Sequence, residues 1–201
     1  MAYIPKSFSL PTFTGISEEQ VKVHLALYEG YVKHANLILE ELAKVRSGEL
    51  TFDPYVVAEL RRRFAFEFDG MRMHEYYFKQ FEGGPTAPNQ DSALGQAAQE
   101  KYGATGIVAH IKEVAGTRGI GWVVVYYDAV GDSLHTTFVA DHELGQLAGL
   151  PVILALDLWE HAYMVDYRPA DKSKYTDAFF ANLDWGVVEA RFDQATATSA
   201  A

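Results

Sequence analysis

The stretch DLWEHAYMVDY, residues 157–167, places a carboxylate and an imidazole four residues apart, directly after an apolar run that begins at Pro151. A buried carboxylate is costly unless it pairs with a charge or binds a cation. A divalent or trivalent metal bound by Asp157 and His161 would offset that cost. The alternative is structural, with Asp157 capping a turn and His161 packed as an aromatic ring. These residues alone leave both interpretations open.

Two more histidines lie on apolar faces of predicted helices in the N-terminal half. His24 follows Val21 at helical spacing, and His74 lies between Met71 and Phe78. A single histidine that faces a core is usually a hydrogen-bonded core residue. Two of them on adjacent antiparallel helices can bring both imidazoles into one interior. The candidate ligands are thus His24, His74, Asp157 and His161. Three imidazoles and one carboxylate suit iron or manganese and are possible for zinc.

The composition narrows the chemistry further. The chain has no cysteine, so His, Asp and Glu must supply the ligands of any metal. The formal net charge of −10 argues against a nucleic-acid-binding protein, because neutralising phosphates requires clustered Lys and Arg. The N-terminus lacks the features of a signal peptide, and no segment is long enough to cross a bilayer. We therefore expect a cytoplasmic protein that binds neither nucleic acid nor membrane.

Two long helices are predicted to hold the first two histidines. A capping box formed by Ser17 and Gln20, followed by apolar residues at helical spacing, predicts a helix over about 17–45. Asp53-Pro54 begins a second helix, which continues in phase until Gly83-Gly84. The short polar connection between them indicates an antiparallel helical hairpin.

The stretch GGPTAPNQDS, residues 83–92, is the best candidate boundary because it concentrates Gly, Pro and Asn. It divides the chain into a helical domain over 1–88 and a C-terminal domain over 89–201. In the second domain, short helices around 93–102 and 106–115 precede GWVVVYYDAVGDSLHTTFVADH, which predicts a β-hairpin. PVILALD predicts a third strand. The fold class is therefore α+β.

At these residues the chain resembles a known family. DLWEHAYMVDY is similar to D-x-W-E-H-A-[YF], the signature of the iron/manganese superoxide dismutases. HLALYEGYV in the first helix, GMRMHEYYF in the second and GIGWVVV at the hairpin match in the same order. The resemblance covers nearly the whole chain. It implies a helical hairpin, a C-terminal α/β domain with a three-stranded antiparallel sheet, and a single metal between them.

The resemblance also implies an activity and the residues for it. The activity would be disproportionation of superoxide by one iron or manganese ion per subunit, with iron slightly favoured and cambialistic use left open. The implied ligands are His24, His74, Asp157 and His161, with solvent as the fifth. Glu160 would pair with the ligand histidine of another subunit, which predicts a homodimer or homotetramer. Trp122 and Trp159 match the family's aromatic shell, although core packing explains both equally well. Tyr163, the last aromatic of the signature, joins the candidate catalytic residues.

Helix 1 departs from the family pattern at the gateway tyrosine. The family places this residue eight positions after the first histidine ligand, whereas Tyr31 comes seven after His24. A regular helix puts positions i and i+7 on one face, so Tyr31 is the predicted gateway residue and Tyr28 the alternative. We expect no helical bulge between His24 and Tyr31.

The second departure concerns the group that hydrogen-bonds the metal-bound solvent. Many family members use a glutamine, either four residues before the second histidine ligand or in the loop after the hairpin. The first position is Gly70 here, and the second is His142, with Gln146 as a nearby alternative. An ordinary loop histidine is the structural interpretation of His142. We predict that His142 and Tyr31 orient the solvent and gate access to it.

Two other functions stay open on the residues alone. A non-heme iron oxygenase or metallohydrolase could use two histidines and a carboxylate with open coordination positions. A non-catalytic, metal-free homologue would only pack these histidines.

Overall fold

The computed structural model describes residues 2–199. Over this range the chain forms helices α1 (Glu18–Ser47), α2 (Pro54–Lys79), α3 (Ala93–Tyr102), α4 (Gly106–Ala115), α5 (Lys172–Asn182) and α6 (Trp185–Ser199), and strands β1 (Gly121–Asp128), β2 (Ser133–Ala140) and β3 (Val152–Asp157). The predicted helical hairpin, two short helices, β-hairpin and third strand are confirmed. The division into domains over 1–88 and 89–201 stays a prediction.

Helix α1 begins where the sequence predicts, but its capping box forms only in part. Ser17 Oγ accepts the backbone N–H of Gln20 at 3.1 Å. The Gln20 side chain does not return to the Ser17 N–H, which donates instead to Asp166 Oδ2 at 2.7 Å. The Gln20 amide is buried against the segment that follows β3. Tertiary contacts therefore replace the second bond that the local spacing predicts.

Helix α2 begins with the predicted cap. Asp53 Oδ1 accepts the N–H of Tyr55 at 2.8 Å, and Pro54 occupies the first helical position, where its missing N–H costs nothing. The helix packs along α1, and each helix turns its histidine inward: His24 is 2% exposed and His74 is fully buried.

The sheet has the order β2-β1-β3, and both pairs of strands are antiparallel. The three-stranded antiparallel sheet implied by the family resemblance is therefore confirmed. In this register Trp122 on β1 lies directly opposite Asp157 at the end of β3. The sheet thus presents an indole and a carboxylate side by side.

The apolar core is continuous from the helical hairpin to the sheet and includes Tyr28, Phe78, Trp122 and Phe179. Helices α1 and α2 and strand β3 all contact this core. The buried polar side chains that they carry, His24, His74 and Asp157, therefore come close together. In the described part of the chain, no helix has both the length and the apolar character needed to cross a bilayer.

Candidate metal centre

Four elements bring the four candidate ligands to one point. His24 lies in α1, His74 lies in α2, Asp157 ends β3, and His161 lies in the short turn that follows. One nitrogen of each histidine and one oxygen of the aspartate all lie within 4.8 Å of one another. The side chain of His161 is 14% exposed, whereas those of the other three are 3% exposed or less.

The two carboxylate oxygens of Asp157 contact different groups. Oδ2 faces the three imidazoles, at 3.0 Å from His24 Nε2, 3.3 Å from His161 Nε2 and 3.6 Å from His74 Nε2. Oδ1 accepts the backbone N–H of Trp159 at 2.8 Å. Asp157 therefore caps a turn and faces the histidines at the same time, so the two interpretations of this residue are compatible.

The pKa shifts of three of the four candidate ligands run in the direction that metal binding requires. His74 Nδ1 donates to the carbonyl of Gly70 at 2.6 Å, which leaves the Nε2 lone pair directed at the other ligands. Burial lowers the pKa of His24, and burial together with the charge of His24 lowers the pKa of His74 well below its usual range. Burial opposes ionisation of Asp157, but the charge and hydrogen bond of His161 hold the pKa of this carboxyl well below its ordinary value. Neutral imidazoles and an ionised carboxylate are the forms that bind metals.

Comparison with known proteins agrees with this geometry. The family model for the C-terminal domain of iron/manganese superoxide dismutases matches residues 90–191. An iron superoxide dismutase of Aquifex aeolicus is 32% identical, and the alignment covers 95% of this chain and 91% of that protein.

The chain belongs to the iron/manganese superoxide dismutase family.

Relatives within the family differ in the metal that they are named for. A Mn/Fe superoxide dismutase of Aeropyrum pernix is 32% identical over 90% of this chain and 84% of that protein. A manganese enzyme of Haloferax volcanii is also 32% identical, over 86% of this chain and 84% of that protein. The family therefore implies iron or manganese without a choice between them.

Beside the four candidate ligands, His142 lies between an indole and a phenol. Trp122 Nε1 donates to His142 Nδ1 at 3.0 Å, and His142 Nε2 is 2.8 Å from the Tyr31 hydroxyl. Because an indole N–H can only donate, Nδ1 must accept and the proton of the neutral ring resides on Nε2. Burial lowers the pKa of His142 to about 3, which keeps the ring neutral. His142 therefore donates to Tyr31, and the Tyr31 hydroxyl keeps its own proton for another acceptor.

Tyr31 and Tyr28 point in different directions. Helix α1 is regular between His24 and Tyr31, as we expected, and the Tyr31 ring lies 5.1 Å from the ring of His74. The Tyr28 hydroxyl instead accepts the N–H of Lys6 at 2.8 Å and lies 3.4 Å from a Glu75 oxygen. Of the two tyrosines, Tyr31 is the one whose hydroxyl meets His142.

Gly70 explains how the ring of Tyr31 fits. A Cβ atom at Gly70 would lie 2.7 Å from Tyr31 Cδ1, closer than van der Waals contact allows. A longer side chain at this position would enter the space that the Tyr31 ring fills. The ring of Tyr31 can therefore take this place because residue 70 has no side chain.

Gln146, the alternative to His142, supports the loop rather than facing the ligands. Its Nε2 donates to the backbone carbonyl of His142 at 2.9 Å, and its Oε1 accepts from the Tyr126 hydroxyl. Both ends of this amide are thus engaged away from the four ligands.

The remaining residues singled out in the sequence lie around the site. Trp122 is fully buried and meets the ring of His74 edge to face at 5.1 Å. Tyr163 is buried, and burial with the charges of Glu160 and Asp157 raises its pKa. Glu160 is exposed on the single chain.

Two further aromatic rings, Trp159 and Phe66, pack around the site, and the sequence signature includes only the first. The Trp159 ring, recognised from the signature, lies parallel to the rings of His142 and His161, at 4.6 and 5.5 Å. Phe66, not anticipated, packs against His142 at 4.6 Å and Trp159 at 6.1 Å. It precedes His74 by eight residues, and helical periodicity could have placed it on the same face of α2.

Proposed function

We propose that this protein is a superoxide dismutase that converts two superoxide ions and two protons into dioxygen and hydrogen peroxide. The observation that carries the proposal is the convergence of three imidazoles and one buried carboxylate, in a chain that belongs to the iron/manganese superoxide dismutase family. We propose that His24, His74, Asp157 and His161 hold one iron or manganese ion. The protonation states of His24, His74 and Asp157 support this assignment.

A bound iron or manganese ion would supply two oxidation states, which the reaction needs because one superoxide loses an electron and the next gains one. The protein's own groups must then hold protons and exclude bulk water. His142 donates to the Tyr31 oxygen, which leaves the Tyr31 hydroxyl proton free for another acceptor. The uncharged aromatic rings of Trp122, Trp159 and Phe66 line the site and help to exclude bulk water. Tyr31 and His142 are accordingly the groups that orient and deliver the proton.

The other reactions considered above fit the site less well. An oxygenase or metallohydrolase with two histidines and a carboxylate leaves several coordination positions open to substrate. Four protein donors converge here, which leaves less room. Iron over manganese, with possible use of both, remains our proposal for the metal, and a cytoplasmic location and an antioxidant role likewise stay predictions.

We also propose that the chain works as a homodimer or homotetramer. Glu160 is exposed and adjoins His161, the one candidate ligand with part of its side chain open to solvent. If a second copy covered this face, Glu160 of each copy would pair with His161 of the other. The interface would then shield the site from water.

Metal analysis of the purified chain and superoxide consumption by separately prepared iron and manganese forms test the function. His161→Ala should lose stoichiometric metal and activity while its circular dichroism stays unchanged. His135→Ala is the matched control, because His135 lies 41% exposed on β2 and should keep both. Full activity in His161→Ala would refute the ligand assignment. Lack of metal and activity in the wild-type chain would instead favour a non-catalytic homologue.

A further inference from the structure

Two buried glutamines of the N-terminal half bond to the backbone of the C-terminal half. The first, Gln20 in α1, is 1% exposed. Its Nε2 donates to the carbonyl of His161 at 2.6 Å, and its Oε1 accepts the N–H of Val165 at 2.9 Å. Gln20 lies one helical turn before His24. One amide therefore links the helix that carries the first candidate ligand to the backbone of the last.

The second, Gln80, follows the end of α2 and is fully buried. Its Nε2 donates to the carbonyl of Ala155 at 2.5 Å, and its Oε1 accepts the N–H of Ala155 at 3.3 Å. The side chain thus bonds the free edge of β3 as a neighbouring strand would. Ala155 precedes Asp157 by two residues, and Gln80 follows His74 by six. This amide links the other two candidate ligands.

We propose that Gln20 and Gln80 are positioning residues, which set the separation between the candidate ligands on the helices and those on the C-terminal half. The inference rests on the metal site of the proposed function. Each amide uses a donor and an acceptor at once, so it specifies both distance and direction, which apolar packing does not. Both amides are neutral, and Gln80 Oε1 also accepts from the Arg191 guanidinium at 3.4 Å.

The chain offers a matched control in Asn182. This asparagine is 2% exposed and also joins the two halves. Its Oδ1 accepts the N–H of Thr14 at 2.7 Å, and its Nδ2 donates to the Thr14 carbonyl at 2.8 Å. Neither Asn182 nor Thr14 lies within six residues of a candidate ligand in the chain. Replacing it removes a buried amide of the same kind without altering the links to the ligands.

The experiment compares Gln20→Met, Gln80→Met and Asn182→Leu in the full chain loaded with Co²⁺ or Mn²⁺. The measurements are the rate of metal loss to excess chelator, the visible absorption of the Co²⁺ form, and urea unfolding of the metal-free form. We expect both methionine variants to lose metal about 10- to 100-fold faster, because loss of a group that orients metal ligands lowers metal affinity by about that factor, and to shift the Co²⁺ spectrum. Asn182→Leu should unfold at lower urea but lose metal within about twofold of the wild-type rate, with an unchanged spectrum, because its links do not reach the ligands.

Metal loss no faster than in Asn182→Leu, with an unchanged spectrum, would overturn the positioning role. If the methionine variants do not fold, Gln20→Asn and Gln80→Asn retain an amide that is one methylene too short, and the same comparison applies. A wild-type chain that binds no metal would refute the proposed function itself. A wild-type chain that binds metal while the glutamine variants match the control would refute only this inference.

Discussion

Gly70→Ala tests whether the glycine makes room for the Tyr31 ring. The added Cβ would lie 2.7 Å from Cδ1, 2.9 Å from Cε1 and 3.0 Å from Cγ of Tyr31, so it would meet the body of the ring rather than a movable end. The ring has little freedom to retreat. Its hydroxyl is bonded to His142, and its face packs against His74.

Two opposing contributions determine the change in unfolding free energy. Alanine is favoured over glycine in a helix interior by about 1 kcal/mol. Overpacking a well-filled site costs about 1 to 3 kcal/mol. We therefore expect Gly70→Ala to destabilise the fold by about 0 to 2 kcal/mol. It should also lower activity, because displacement of the ring breaks the 2.8 Å bond between Tyr31 and His142.

The sign of this effect should reverse when the ring is removed. In a Tyr31→Ala background the clash is absent, so Gly70→Ala should stabilise the fold by about 1 kcal/mol through helix propensity alone. Gly30→Ala is the control in α1, because a Cβ at Gly30 meets no atom within 4 Å. It should stabilise the wild type by about 0.5 to 1 kcal/mol.

Urea denaturation of the metal-free protein measures all of these variants in one double-mutant cycle. The expected coupling between Gly70→Ala and Tyr31→Ala is about 1 to 3 kcal/mol, equal to the overpacking cost. A coupling close to zero, or an equal gain from alanine at Gly70 and Gly30, would refute the packing argument.

Three further predictions follow from other contacts. Trp122→Phe removes the donor to His142 Nδ1 and part of a buried ring, so urea denaturation should show a loss of about 2 to 4 kcal/mol; a loss under about 0.5 kcal/mol would contradict the assigned hydrogen bond. Burial and the charge of Glu143 raise the pKa of Asp69 to about 6, so the protonated Asp69 contributes about 1 kcal/mol to the unfolding free energy at pH 4 that is lost as pH rises to 7, a figure reduced for partial exposure. The unfolding free energy of the wild type relative to Asp69→Asn should therefore fall by about 1 kcal/mol between pH 4 and 7, and a difference that does not change with pH would contradict the raised pKa. Glu160→Ala should lower the molar mass seen by analytical ultracentrifugation, whereas an unchanged mass would place Glu160 outside the interface.

Much of the fold was predictable because local interactions determine it. The starts of α2 and β1 follow from Asp53-Pro54 and from the strand pattern beginning at Gly121, which depend on near neighbours. The apolar pattern carries α2 on to Gly83-Gly84, whereas the helix ends at Lys79. The pattern also ends α1 at about Val45, two residues before its end at Ser47. Gly48 ends the helix with a φ of 79°, in the left-handed region that glycine readily adopts. Reading Gly48 as a C-cap would have corrected the boundary.

The candidate ligands could be predicted for a different reason: each must be a histidine or a carboxylate, so its type is visible in the sequence. For Gln20 and Gln80, residue type gives no comparable indication of their partners. Their partners are backbone groups 141 and 75 positions away, and every residue type supplies a carbonyl. The amide of Gln20 even fits a local capping pattern that it does not complete. A motif can therefore indicate candidate ligands by their residue type, whereas side chains that bond to distant backbone groups are found only in the folded chain.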